Sequence, residues 1–289
     1  MGVKILQFGD VHLPLPAGAL RAPGAWRPRR IPAIANYFLL RGRHYAAARE
    51  KLAALRDFLR REGVEWIFYA GDSVAMGLES EFAAASPLLE EVFRAARRGA
   101  VAVPGNHDFY TPRSVRDFRR LLPWGQDNDL PGLFPDFPGR PIVRFLPPDA
   151  AVVAFETACP HFFFWNSSGR LSRRTRDALR ALLAHPRLAA LGTVFLLTHY
   201  PPDDADRFHG FRDADALAEL LAGRKNLVFL HGHVHAAGRR TVGPASAAIR
   251  VFCSGSLTKE GAESFWLHEL EGGRLRSRRG RWSGGAWRV

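Results

Sequence analysis

The amino-acid sequence predicts an α/β layered domain. Short β-rich runs alternate along the chain with amphipathic helical stretches, the pattern of helices laid against a sheet. The composition, 47% hydrophobic and 24% charged over 289 residues, is that of a globular chain and argues against disorder. The length fits one large domain or two small ones. No repeat or low-complexity block appears.

The elements follow in order. "VKILQF" at 3–8 reads as a buried strand. Residues 46–62 read as a helix with Leu52, Leu55 and Leu59 on one face and Gly63 as its stop. "VEWIFYA" at 64–70 is the next strand, and Ser86-Pro87 has the form of an N-cap and first turn for a helix to Arg98, stopped by Gly99. "AVAV" at 100–103 is a strand, and "PIVRFL" and "AVVAFE" form a strand pair. Ser172 caps a helix carrying Leu179, Leu182 and Leu183. "TVFLL" at 193–197 and "NLVFL" at 226–230 are strands, with a helix from Asp213 through Leu221 between them. "IRVFCSG" and "SFWLHEL" complete the β content, and Gly272-Gly273 suits a hairpin turn. The irregular stretches 13–45 and 123–141, rich in Pro, Gly and Arg, read as loops over one core and not as linkers. The expected organisation is therefore one domain over 1–289 with a basic cap segment at 13–45.

The chain carries 41 Lys+Arg against 28 Asp+Glu, a net charge of +13. Such a surface favours anions: nucleic acid, acidic lipid or phosphorylated substrates. Only Lys4, Lys51, Lys225 and Lys259 are lysines, so arginine-rich coding competes as the explanation. Cys159 and Cys253 imply no disulfide framework and suit a reducing compartment. No apolar run approaches the roughly 20 residues that cross a bilayer. "MGVKILQFGD" lacks a leader pattern, and "MGVKIL" lacks the Ser or Thr of a myristoylation signal. A cytoplasmic location is the expectation, peripheral to the membrane if the basic segment touches lipid.

The polar residues fall at strand ends. Asp10 and His12 follow strand 3–8, and Asp72 follows 64–70. Asn106, His107 and Asp108 follow 100–103, His199 follows 193–197, and His233 and His235 follow 226–230. Five strand ends thus deliver metal-type donors, where open α/β sheets build their sites. Asp-x-His and His-x-His on an extended backbone would point both side chains one way, with Val11 and Val234 turned into the core. Glycines before Asp72, Asn106 and His233 let backbone approach a crowded centre. The donors are imidazole nitrogen with carboxylate and amide oxygen and no thiolate. That set suits Mn, Fe, Zn or Mg.

With these five blocks in order over residues 10–235, the chain resembles the calcineurin-like metallophosphoesterase superfamily, whose pattern is Asp-x-His, Gly-Asp, Gly-Asn-His-Asp/Glu, a lone His, then Gly-His-x-His. "GLESEF" at 77–82 and "NSSGRLS" at 166–172 are similar to its bacterial, phosphodiesterase-type branch. The resemblance implies a four-layer αββα sandwich of two mixed β-sheets flanked by helices. It also implies a dinuclear centre of divalent or trivalent ions, with Mn, Fe or Zn ahead of Mg or Ni. Asp10, His12 and His235 would hold the first metal, Asn106, His199 and His233 the second, and Asp72 would bridge. A shared hydroxide would attack phosphorus in line, and His107 would stabilise the phosphoryl charge and protonate the leaving oxygen. One position departs: many members carry Gly-Asp-x-x-Asp, whose second Asp orients the catalytic histidine, and here that residue is Ala75. Asp108 is the candidate substitute, unless the histidine is held otherwise.

The implied function is a metal-dependent phosphodiesterase acting on a small phosphodiester or other phosphorylated substrate. An alternative is a pyrophosphohydrolase of a nucleotide-linked lipid, as in the superfamily's lipid A-pathway hydrolases. A nuclease and a metal-free scaffold rank below these, because no added nucleic-acid module is seen and every ligand position is filled. His231 reads as structural. His44, His161, His185, His209 and His268 read as surface or loop histidines, with a substrate contact open for His209. "HFFFW" at 161–165 reads as core packing, a pocket rim or an apolar wall near the site. Residues 21–49 hold seven arginines and no acid. They read as a cap helix with a solvated arginine face, or as a basic amphipathic lid for an anionic membrane surface. The tail 274–289, with six arginines, reads as a last strand and frayed end, or as an anion-binding segment.

Overall fold

Two six-stranded β-sheets pack face to face with helices outside them. The computed structural model describes residues 2–22, 24–123 and 127–289; of the expected irregular stretch 123–141, residues 124–126 lie outside that set. In chain order come β1 (Val3–Phe8), α1 (Arg30–Asn36), α2 (Ala48–Glu62), β2 (Trp66–Tyr69), α3 (Glu79–Phe93), β3 (Gly99–Ala102) and α4 (Pro112–Leu121). Then follow β4 (Ile142–Leu146), β5 (Ala150–Ala154), α5 (Arg173–Ala184), α6 (Pro186–Ala189), β6 (Thr193–Leu197), α7 (Ala214–Leu221) and β7 (Leu227–His231). The chain closes with β8 (Gly238–Val242), β9 (Ile249–Cys253), β10 (Ser264–Glu271), β11 (Arg274–Ser283) and β12 (Ala286–Arg288). The sheet orders are β12-β11-β10-β1-β2-β3 and β4-β5-β6-β7-β9-β8. β1, β2 and β3 run parallel, as do β5, β6, β7 and β9, and the remaining pairs are antiparallel. Both sheets are therefore mixed, as expected.

Period-two alternation sorts the strand side chains. Ile5, Phe68 and Val101 face Val152, Phe195 and Val228 between the sheets, whereas Leu6, Ile67, Val194 and Leu196 face outward under the helices. Each large apolar side chain buried here contributes about 1.5–3 kcal/mol. Leu52, Leu55 and Leu59 form the buried face of α2, and Gly63, at φ 64°, closes the helix in the left-handed conformation that glycine adopts without penalty. Ser172 caps α5 by accepting from the Thr175 amide.

Ser86-Pro87 does not start a helix. It lies inside α3, which begins seven residues earlier and ends at Phe93. The start is set by Glu81, whose carboxylate accepts from the Leu78 amide at 2.8 Å. Ser86 Oγ donates instead to the Leu121 carbonyl of α4. The helix α4 falls in a stretch to which the sequence reading assigns no element. Thr111-Pro112 carries its signal, since Thr111 accepts from the Ser114 amide and Pro112 occupies the first turn. The arginine-rich tail forms the hairpin β11–β12, and Trp287 is buried against α2, its indole N–H donating to the Lys51 carbonyl. A strand β8 was also unforeseen.

His268 is not at the surface. It is buried on β10, bonded to Gln7 Oε1 at 3.1 Å and Ser277 Oγ at 2.8 Å. Gln7 in turn donates across to the His231 and Phe252 carbonyls of the other sheet. Burial, and then the charge of Arg250, push the His268 imidazole from 6.5 down to about 3. The unfolded chain therefore binds a proton below pH 6.5 that the folded chain refuses until about 3, so stability falls with falling pH across that window. His268→Gln is expected to flatten urea-derived stability between pH 6.5 and 4 by about 1.4 kcal/mol per pH unit. Parallel wild-type and variant curves would show that His268 titrates normally.

Candidate metal centre

The C-terminal ends of β1, β2 and β3 meet those of β6 and β7 at one edge of the sandwich. Their loops are stitched by backbone bonds: the Asp10 amide donates to the Gly71 carbonyl, the Val11 and His12 amides to Asp72, and Gly232 to His199. Among the described residues, every non-glycine residue in the left-handed region is a predicted ligand: Asp10, His12, Asp72, His233 and His235. Such a backbone costs about 1–3 kcal/mol per residue and persists only where its surroundings hold it. This revises the expected geometry. The paired side chains converge through tight left-handed turns and not through an extended backbone. Val11 is buried as expected, but Val234 is 51% exposed.

Two groups of donors result. Asp10, His12, Asp72 and His235 offer ligand atoms that all lie within 4.8 Å of one another. His12 Nε2 is 3.0 Å from His235 Nε2, and His235 Nε2 is 3.1 Å from Asp10 Oδ1. In the second group, Asn106 Oδ1 is 3.0 Å from both His199 Nε2 and His233 Nδ1. Asp72 Oδ2 stands between the groups, 3.7 Å from His12 Nε2 and 3.5 Å from His199 Nε2. All seven predicted ligands are therefore brought together.

The outer nitrogens of the rings are committed elsewhere. His12 Nδ1 faces the Val74 carbonyl at 3.2 Å and His199 Nδ1 the Ala70 carbonyl at 2.7 Å. His233 Nε2 donates to the His209 carbonyl at 2.8 Å, so its Nδ1 faces inward. Such outer bonds fix tautomer and ring direction in the way metal-binding histidines require. Asp10 Oδ1 is buried with no hydrogen-bond donor. Burial would raise the Asp10 carboxyl, yet the charge of His235, whose Nε2 stands 3.1 Å away, holds it below its usual range. Burial, and then the charge of Asp10, push Asp72 up to about 8. Desolvation also drives His12 well below its usual range and His233 down to about 3. Bare imidazole nitrogens aimed at one another, beside a carboxylate oxygen without a donor, fit divalent cations. The glycines agree: a Cβ on Gly105 would overlap Asp72 Oδ1, and one on Gly232 would lie 2.5 Å from Asp10 Oδ2.

His107 lies at the same site but outside both groups. Its amide donates to Asp72 Oδ1 at 2.8 Å, and its Nδ1 donates to the Ala75 carbonyl at 2.6 Å. The backbone of Ala75 therefore does the orienting that the missing aspartate would do. The Asp108 carboxylate has a different task from the expected one. It accepts the Asp72, Ser73 and Gly105 amides, each at 2.9 Å, and so ties two ligand loops together. Burial and the charge of Asp72 raise it to about 7. The Ala75 loop is held on both sides. Glu81 accepts the Ala75, Met76 and Leu78 amides, while Arg30 donates to the Met76 and Gly77 carbonyls.

Several residues had no readable signal in the sequence. Arg41 comes from a π-helical turn (Tyr37–Arg41) that continues α1. Its guanidinium is 3.2 Å from His107 Nε2 and 3.3 Å from His12 Nε2. Tyr45 packs edge-on to His12 and reaches His235 Nδ1 at 3.5 Å. Ser256 and Thr258, after β9, donate to the Asp10 and Val11 carbonyls. The seven arginines of 21–49 thus divide: Arg29 and Arg30 are spent on backbone carbonyls and Arg41 enters the site. His231 is buried behind the site against the Gly232 carbonyl and Arg240, a structural position as expected. His161 bonds the Ser168 carbonyl, and His185 caps α6. Two adjoining cavities of about 350 and 380 Å³ share Arg41, Tyr45, Asn106, His107, Ser167 and His209. His209 thus lines the site.

A buried Asp/His cluster at the edge of an α/β sandwich of two sheets is a site that could hold metal for hydrolysis. Residues 3–237 match the model of the calcineurin-like phosphoesterase family, and the chain belongs to that family. Among solved structures, a dimetal phosphatase from Danio rerio superposes with a TM-score of 0.65 at 19% identity, covering 96% of this chain and 95% of that one. The sulfate thiohydrolase SoxB from Thermus thermophilus gives 0.50 at 18% identity over 96% of this chain and 56% of that one. GAP50 of Plasmodium, an anchor in the inner membrane complex, gives 0.53 at 13% identity over 98% and 86%. At these identities the likeness is one of fold. No curated protein matches the chain by sequence.

Proposed function

We propose that the chain is a two-metal phosphodiesterase. The observation that carries this reading is the place of Asp72 Oδ2 between two donor groups, with His107 Nε2 and Arg41 facing the same hollow. Asp10, His12 and His235 would hold one ion, Asn106, His199 and His233 the other, and Asp72 both. When bound, two cations polarise phosphoryl oxygens and lower the pKa of a water shared between them.

The chain's own residues supply the rest. His107, its Nδ1 proton committed to Ala75, presents Nε2 to the leaving oxygen; burial and then the charge of Arg41 hold the ring neutral, so the proton it would pass on from Nε2 is one it first takes up there from solvent. Arg41 offers a planar fork to a non-bridging phosphoryl oxygen. The hollow continues from His233, His235 and Lys259 to Pro32, Tyr37 and Phe164, which leaves room for an organic group on each side of phosphorus. That space supports a diester over a monoester. Arg41 also favours a second reading, a pyrophosphate whose non-reacting phosphate it would bind.

The test is hydrolysis of bis-p-nitrophenyl phosphate against p-nitrophenyl phosphate, after chelation and resupply of Mn, Fe, Zn, Mg or Ni singly. Metal-restored turnover favouring the diester is expected. Arg41→Ala is expected to raise KM about 10–100-fold, the scale of one charge-assisted hydrogen bond. Bound metal without diester turnover would overturn the reading.

A further inference from the structure

We infer that the mouth of the site docks on an anionic lipid surface. Tyr37 and Arg41 face the cavity, and the three residues between them, Phe38, Leu39 and Leu40, stand out into solvent, Leu39 75% exposed. Across the mouth, Phe164 lines the cavity while its loop shows Phe162, 87% exposed, with Phe163 and Trp165. This loop is internally ordered: the Phe163 and Trp165 rings stack at 4.5 Å, and Phe164 meets Trp165 edge-on at 5.0 Å. It is also tied to the first wall, because Arg29 donates to the His161, Phe163 and Asn166 carbonyls. Two apolar projections therefore rim one opening on a shared, bonded frame.

The charge of the segment that carries the first projection selects the occupant. Residues 21–49 contain no acid. Arg21, Arg27 and Arg43 are exposed and have no acidic partner among the described residues. Exposed Phe, Trp and Leu beside unpaired arginine is the composition that settles into the headgroup boundary of an anionic bilayer. Each such arginine near the surface adds attraction that salt screens. Among the described residues no helix is long and apolar enough to cross a membrane, so the contact inferred is with the interface.

The test is co-sedimentation of the full chain with vesicles of phosphatidylcholine alone and of phosphatidylcholine mixed with phosphatidylglycerol. Binding to the mixed vesicles is expected to exceed binding to the neutral ones at least about tenfold and to weaken with salt. Leu39→Asp with Phe162→Asp, and separately Arg27→Gln with Arg43→Gln, are each expected to weaken it at least about tenfold at an unchanged melting temperature. No binding to the mixed vesicles, or variants that bind like wild type, would overturn the inference. So would a dimer in solution that Leu39→Asp with Phe162→Asp dissolves, since the face would then be covered by a second copy. Vesicle binding is read without turnover, so it stands or falls apart from the phosphodiesterase reading.

Discussion

Replacing Asp72 with asparagine is expected to lower metal-dependent turnover about a thousand-fold and to reduce bound metal. The carboxylate is buried, its Oδ1 accepts the His107 amide, and its Oδ2 lies between the imidazoles of the two donor groups. Asparagine keeps the shape and one acceptor but removes the charge both cations would share. Losing about 4 kcal/mol of charge stabilisation corresponds to about a thousand-fold in rate. The variant also relieves the repulsion between Asp72 and Asp10. In chelator its melting temperature should equal or exceed that of wild type. Added metal should then raise the wild-type melting temperature far more than that of the variant, since a cation at a hundred times its Kd stabilises a folded chain by about 2.7 kcal/mol. Metal content by elemental analysis and melting curves with and without metal check this. A variant with wild-type metal content and turnover would remove Asp72 from the centre.

His107→Ala is expected to lower kcat by about 10²–10⁴-fold with metal content unchanged. The ring is held by the Ala75 carbonyl and is outside both donor groups, so its loss would remove the proposed proton delivery and leave the two donor groups in place. Glu81→Ala supplies the companion measurement. It frees the Ala75, Met76 and Leu78 amides, and through them the carbonyl that orients His107. A loss of about 10–100-fold in kcat, again without loss of metal, is the expected scale for a group that acts by orienting another. If His107→Ala also strips the metal, His107 is a ligand or a structural support and not the proton donor.

The legibility of this chain was uneven, for physical reasons. Strands were readable because alternation and β-branched runs report burial locally. The helix from Ser172 was readable because its cap is a contact within three residues. The start of α3 was misread because its determinant, Glu81, lies inside the helix and reaches back to Leu78, while Ser86-Pro87 imitates a cap without making one. His268 was misplaced because its burial depends on Gln7, 261 residues away in sequence. The orienting group of His107 was illegible because it is a backbone carbonyl, which has no residue signature. The family resemblance carried the assignment of the seven ligands; spacing alone located the donors.

The sequence by itself determined most of the strands, the helices α2, α5 and α7, the donor types at five strand ends and the glycines that leave room beside Asp10 and Asp72, because each depends on side-chain period, size or chemistry within a few residues. Only the tertiary structure decided that His12 and His235, 223 residues apart, face each other across 3.0 Å. It also decided that Arg41 reaches the site while Arg21, Arg27 and Arg43 face solvent, and that the aromatic loop and the turn after α1 rim one opening. Those outcomes depend on how two sheets bring distant chain ends to one edge, and no local pattern encodes that meeting.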